Sequence, residues 1–87
     1  MTRLRAAPGV AVVEDSEAVY IAQLPDGPIA VLDGVAAVIW LEAGAGERET
    51  LAARVGAVLE PPVSDIDQAV DEFVEGLIGH GLLVQTD

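Results

Sequence analysis

Pro25-Asp26-Gly27-Pro28-Ile29-Ala30-Val31-Leu32-Asp33-Gly34-Val35-Ala36-Ala37-Val38-Ile39-Trp40 is the stretch in which this sequence passes from one kind of order to another. Pro25 to Pro28 reads as a turn, because the prolines fix the flanks and Gly27 is free to take a positive φ. Ile29 to Leu32 follows as a short apolar strand. Pro28 has no N–H to give to a ladder, so it suits the start of an edge strand and not the middle of a central one. Asp33 is placed to N-cap a helix from Gly34 to about Ala43. Val35, Val38, Ile39, Trp40 and Leu41 make that helix apolar almost all round, the pattern of a helix buried at the centre of a domain.

Working outward from this block, the upstream chain reads as β. Val10 to Glu14 is an apolar strand closed by the polar run Glu14-Asp15-Ser16-Glu17, and Val19 to Leu24 is a second strand with Tyr20 and Ile21 supplying propensity. The three strands form an antiparallel meander. The downstream chain reads as α. Gly44 and Gly46 end the first helix. A second covers roughly Glu49 to Leu59, with Leu51, Val55, Val58 and Leu59 on one face, and Pro61-Pro62 stops it. Ser64 and Asp67 have capping-box spacing at the start of a third helix, in which Ile66, Val70, Phe73, Val74 and Leu77 recur at helical period. Gly79-His80-Gly81 ends it, and Leu82-Leu83-Val84 is a short apolar tail. The expected class is α+β: a three-stranded antiparallel sheet followed by three helices, in a winged helix-turn-helix-like order. With 87 residues and no internal repeat or long linker, residues 1–87 read as one domain.

Composition narrows the function. Apolar residues make up 52% of the chain, but Tyr20, Trp40 and Phe73 are its only aromatics, so the core must be built from Val, Leu, Ile and Ala. No Cys occurs, which excludes a disulfide framework, a thiolate metal site and a Cys nucleophile. No signal-peptide pattern opens the chain, and the apolar run Val35 to Leu41 is far shorter than the roughly 20 residues a membrane helix needs. A cytoplasmic location without membrane attachment is the expectation. Fifteen acids oppose four bases, all Arg, for a net charge of -11. Such a chain repels phosphate backbones and anionic membranes. A DNA-reading helix needs Arg, Lys, Asn or Gln at its start. The third helix instead carries Asp65, Asp67, Asp71, Glu72 and Glu75, so nucleic acid is not an expected partner.

Catalytic constellations are also lacking. His80 lies in a Gly-His-Gly terminator, where a helix-end role suits it. Asp67 and Asp71 share a helix face, but with no accompanying His they read as a solvated acidic face. Gly44-Ala45-Gly46 has neither the length nor the Lys of a phosphate loop. Trp40 lies in the most apolar helix and reads as a core residue. No enzymatic activity, metal or cofactor is expected.

Four blocks carry a resemblance: Arg5-Ala6-Ala7-Pro8-Gly9-Val10 before the first strand, the Asp26-Gly27-Pro28 turn, Val31-Leu32-Asp33-Gly34-Val35-Ala36-Ala37-Val38-Ile39-Trp40, and Gly81-Leu82-Leu83. In order and spacing the chain resembles the PqqD-like family, the leader-recognition elements of pathways that modify ribosomally made peptides. The resemblance runs over nearly the whole chain; Glu42 to Thr50, rich in Ala and Gly, departs from it.

The resemblance implies a non-catalytic adaptor. A precursor peptide's leader adds as a strand to the free edge of the third strand and lies in the groove between that strand and the third helix. Main-chain hydrogen bonds set register, and alternate side-chain pockets set specificity. On this reading Pro28, Ile29, Ala30, Val31 and Leu32 form the edge. Val70 and Val74 receive leader side chains, and Asp67, Asp71 and Glu75 meet its Lys or Arg. The implied partner enzyme is a separate leader peptidase, as in lasso-peptide pathways, favoured because the chain is brief and ends just after Gly81-Leu82-Leu83. A radical-SAM enzyme acting on a cofactor-precursor peptide is the alternative. The competing class is a structural or assembly subunit that dimerises through the same edge.

Overall fold

Alternation of inward and outward side chains along three successive strands builds the sheet on which the candidate site sits. The computed structural model describes residues 2–15, 18–59 and 65–86. Its elements in chain order are β1 (Arg3–Ala6), β2 (Val10–Glu14), β3 (Ala18–Gln23), β4 (Ile29–Asp33), α1 (Gly34–Ala43), a 3-10 turn (Arg48–Thr50), α2 (Leu51–Val58), α3 (Ile66–Gly79) and β5 (Leu83–Thr86). The fold is α+β, with three helices and a three-stranded antiparallel sheet in the order β2-β3-β4. The sequence-based reading of one sheet is incomplete. β1 and β5 form a second, two-stranded antiparallel sheet, pairing Arg3 with Thr86 and Ala6 with Leu83. The expected apolar tail is thus a strand, and so is the segment before β2.

On the inner face of the larger sheet Val19, Ile21 and Leu32 are buried, with Val10, Val12 and Ala30 packed beside them. On the outer face Val13, Tyr20 and Val31 lie opposite one another in a row across the strands, all three exposed. An antiparallel sheet with one solvated face ordinarily alternates apolar-in with polar-out; here both faces are apolar at the centre.

The β3–β4 connection is closed by the Gly27 N–H, which donates to the Gln23 carbonyl at 2.7 Å. A Cβ on Gly27 would stand 2.5 Å from the Gln23 Cβ, so the position needs a missing side chain. The expected positive φ is not what requires glycine there. At the other end of β4 strand passes into helix without a linking residue. Asp33 is extended and makes no side-chain cap hydrogen bond, contrary to the expectation, and Gly34 turns the chain at φ +57°. That backbone region favours glycine.

Helix α1 separates two apolar clusters. Trp40 and Ala37 face the sheet cluster with Leu77, Leu82 and Leu83. Ile39 and Ala43 face a helical cluster with Leu4, Leu51, Val55, Val70 and Val74. Val35 and Leu41 remain exposed, so the helix is not enclosed on every side as its composition suggested. The second helix, expected from Glu49, starts as the 3-10 turn and becomes α-helical at Leu51. Asp65, at φ +58°, occupies the N-cap position of α3 without a side-chain cap bond; the expected cap Ser64 lies outside the described residues.

The N-terminal strand is tied to the 3-10 turn. The Arg48 N–H donates to the Thr2 carbonyl at 2.7 Å, and the Thr2 N–H donates to both Glu49 carboxylate oxygens at 3.0 and 3.2 Å. These donors hold the Glu49 carboxyl below its ordinary pKa. Among the described residues, no helix is long and apolar enough to cross a membrane.

Burial places β5 inside the cooperative core. Leu83→Ala is expected to cost about 2–4 kcal/mol, whereas Val13→Ala on the outer face should stay within about 1 kcal/mol. Urea unfolding followed by circular dichroism measures both, and equal losses would exclude β5 from the cooperative unit.

Candidate functional site

The open edge of β4 follows from its hydrogen-bond phase. The Gln23 N–H donates to the Pro28 carbonyl at 3.4 Å. Hydrogen-bonded and non-bonded pairs alternate along an antiparallel ladder. In the observed register, Ala30 opposite Ile21 and Leu32 opposite Val19 therefore point their main-chain groups at β3. Ile29 and Val31 turn theirs the other way, to an edge that has no neighbouring strand among the described residues. The opposite side of β3 has the complementary phase: Leu24 donates to Gly9 and Asp15 to Ala18, each at 2.9 Å.

The side chains sort by the same alternation. Ala30 and Leu32 face the core, while Ile29 and Val31 stand outward, 68% and 56% exposed. Pro28 is exposed at the start of the edge. The five edge residues named from sequence are thus contiguous, with Ile29 and Val31 presenting the free backbone.

The α3 residues named from sequence occupy other surroundings. Val70 and Val74 are 4% and 0% exposed and pack on Ile39, Leu51 and Val55. They are core side chains and do not line a groove. Asp71 Oδ1 and Glu75 Oε2 accept hydrogen bonds from Arg48 Nη2 at 2.8 and 2.7 Å, and Arg48 Nη1 donates to Gln85. Partial burial by itself disfavours the Arg48 charge, but Glu75 and Asp71 outweigh that and raise its pKa above the ordinary value. Two of the three acids expected to meet a basic ligand therefore already have a partner within the fold. Asp67 is exposed on the first turn of α3.

The side of α3 nearly opposite these acids, at about 3.6 residues per turn, holds a recess of about 220 Å³ lined by Glu72, Phe73, Gly76, Leu77 and His80. Leu77 belongs to the apolar cluster that contains Leu32 of β4, and Phe73 and Ala30 are packed against the same cluster. Gln23 Nε2 donates to the His80 carbonyl at 2.9 Å, which ties the end of β3 to the end of α3. A Cβ on Gly76 would meet nothing within 4 Å; its absence opens the helix surface over Phe73 and Leu77. Sequence reasoning missed this set. Its available signal was Gly76, an isolated glycine inside a helical pattern, which costs about 1 kcal/mol relative to Ala unless packing or binding uses it.

The arrangement suits an extended peptide: free main-chain donors and acceptors on one side, and an apolar recess beside the acidic Glu72 on the other. No protein-family model, curated protein or solved structure matches the chain, and the reading of the site stands on this geometry. It separates two classes of substitution. Val70→Ala and Val74→Ala should each lower stability by about 1–3 kcal/mol through the cavity they leave, whereas Gly76→Leu should fill the recess and leave stability equal or up to about 1 kcal/mol higher. Thermal melts of the three variants test this division, and unchanged melts for the valine variants would contradict their burial.

Proposed function

We propose that this domain binds the leader of a ribosomally made precursor peptide as a strand added beside β4, and presents it to a separate modifying enzyme. The observation that carries the reading is the outward main chain of Ile29 and Val31 on an edge with no strand neighbour among the described residues. Strand addition to such an edge is a standard mode of peptide capture: backbone bonds fix register, and every second ligand side chain enters a pocket. The recess over Phe73 and Leu77 supplies a pocket on the inward side.

Three further features support the adaptor reading. The sequence resembles the PqqD-like leader-recognition elements over the β4–α1 block, and a three-stranded sheet with three helices suits their winged helix-turn-helix-like architecture. The domain contributes no reaction of its own on this reading. A net charge of -11 disfavours nucleic acid and anionic membranes as partners. The resemblance favours a lasso-type leader peptidase as the receiving enzyme, with a radical-SAM enzyme as the alternative. Because Asp71 and Glu75 are held by Arg48, Glu72 beside the recess takes their place as the acid facing a basic leader residue.

Proline scanning tests the mechanism. Val31→Pro removes an outward donor and should leave the internal ladder intact; binding of a synthetic leader peptide should fall at least about tenfold. Ala30→Pro removes a donor that β3 uses and should lower stability instead. Isothermal titration and circular dichroism of both variants separate the outcomes. A folded Val31→Pro variant that binds with unchanged affinity would sink the proposal. So would ligand-induced amide shifts confined to α2.

A further inference from the structure

The other edge of the sheet, β2, also has no neighbouring strand among the described residues. The Leu24–Gly9 and Asp15–Ala18 bonds set its phase, so Val12 and Glu14 direct their main-chain groups away from β3. The Val10 N–H already donates to the Ala7 carbonyl at 3.2 Å. Natural edges are commonly protected by Pro, Lys or a bulge. The segment Val10-Ala11-Val12-Val13-Glu14 has no Pro or Lys and pairs with β3 in unbroken register.

Beside this edge runs an open groove of about 360 Å³ whose walls include Arg5, Ala6, Val12, Glu14, Trp40 and Leu41. Its surface is apolar apart from two charges of opposite sign. Among the described residues, neither Arg5 nor Glu14 makes an ion pair within 4.0 Å, while Arg48 and Arg54 are both paired.

We infer that β2 pairs with β2 of a second copy of this chain about a two-fold axis at Val12, joining the two sheets edge to edge. Antiparallel pairing centred there sets Val12 against Val12 of the second copy, the two residues exchanging both of their outward hydrogen bonds, and sets Val10 against Glu14. Val10, Val12 and Glu14 share the inward face of the strand. Glu14 of the second copy thus lies opposite Val10, from which the chain leads back to β1 and to Arg5 on the groove wall. The two-fold repeats the contact, so each Arg5 meets the other copy's Glu14. An edge with one cation and one anion placed this way is complementary to itself, which an isologous interface requires. The mutual repulsion of two acidic copies opposes association. The acids of α3 line no part of this groove, and β4 stays free for a ligand.

Sedimentation velocity of the full chain at physiological salt, from about 10 µM to about 1 mM, should show a monomer–dimer equilibrium. Trp40 is the chain's one tryptophan, so its fluorescence should change on dilution across the same range. Arg5→Glu should weaken the dimer about tenfold by setting like charges together, and combining it with Glu14→Arg should restore it. Val12→Pro should give a monomer, and Val31→Pro should leave the dimer unchanged. A wild-type chain monomeric throughout overturns the inference, as does a dimer indifferent to Arg5→Glu or one lost with Val31→Pro. Leader binding is measured separately, and its absence would leave these outcomes as they are.

Discussion

Phe73 and Ile78, both on α3, pack against both halves of the core, the sheet cluster and the helical cluster. This contact constrains the rest of the molecule. A chain of 87 residues with three aromatics has little apolar volume to divide, and α1 divides it. The last helix must therefore direct most of its apolar stripe inward to hold the halves together. Val70, Val74 and Leu77 go to that task, and what α3 offers a ligand is a flank, opened by Gly76 over side chains already seated in the core. On the proposed reading, recognition therefore depends chiefly on the main chain of β4.

The four arginines are distributed unevenly. Arg48 joins the 3-10 turn to α3 through Asp71 and Glu75. Arg54 joins α2 to the end of α1 through Glu42, with an Nη1–Oε1 distance of 3.2 Å, and its Nη2 donates to the Glu47 carbonyl at 2.7 Å. Both hold the segment from Glu42 to Thr50, rich in Ala and Gly, in which Ala43 alone is buried in the core. Exposed ion pairs contribute only about 0.2–1 kcal/mol each, so their effect is to fix position more than to stabilise. Arg3 and Arg5 remain on β1, with no ion pair among the described residues.

Much of this was legible in the sequence. β2, β3 and β4 announce themselves by β-branched runs between turn residues, and α1 by an unbroken apolar block beginning at Gly34. The strands β1 and β5 were not legible, because Arg3-Leu4-Arg5-Ala6 and Leu83-Val84-Gln85-Thr86 are four residues each and their partners lie about eighty positions apart. Alternation over so short a span carries almost no signal. The edge of β4 was legible from Pro28. Its phase was not, since which residues face outward depends on one hydrogen bond, Gln23 to Pro28, that sequence does not encode locally. The destination of the acids was likewise hidden: the 3.6 period places Asp71 and Glu75 together, but their partner Arg48 comes from another element. Gly27 was recognised as a turn residue for the wrong reason, since crowding against Gln23 requires it.

The β1–β5 pairing brings Arg3 beside Thr86, so the chain enters and leaves the fold at one place. Two antiparallel strands that meet at the ends of a domain act like the hinge plates of a door: whatever is joined to one end lies close to whatever is joined to the other. Such a unit can be spliced into a surface loop of a larger protein without stretching it, or its ends can be joined and new ones opened elsewhere. The β4 edge lies on a different sheet from that seam, so an attachment at the ends need not cover it.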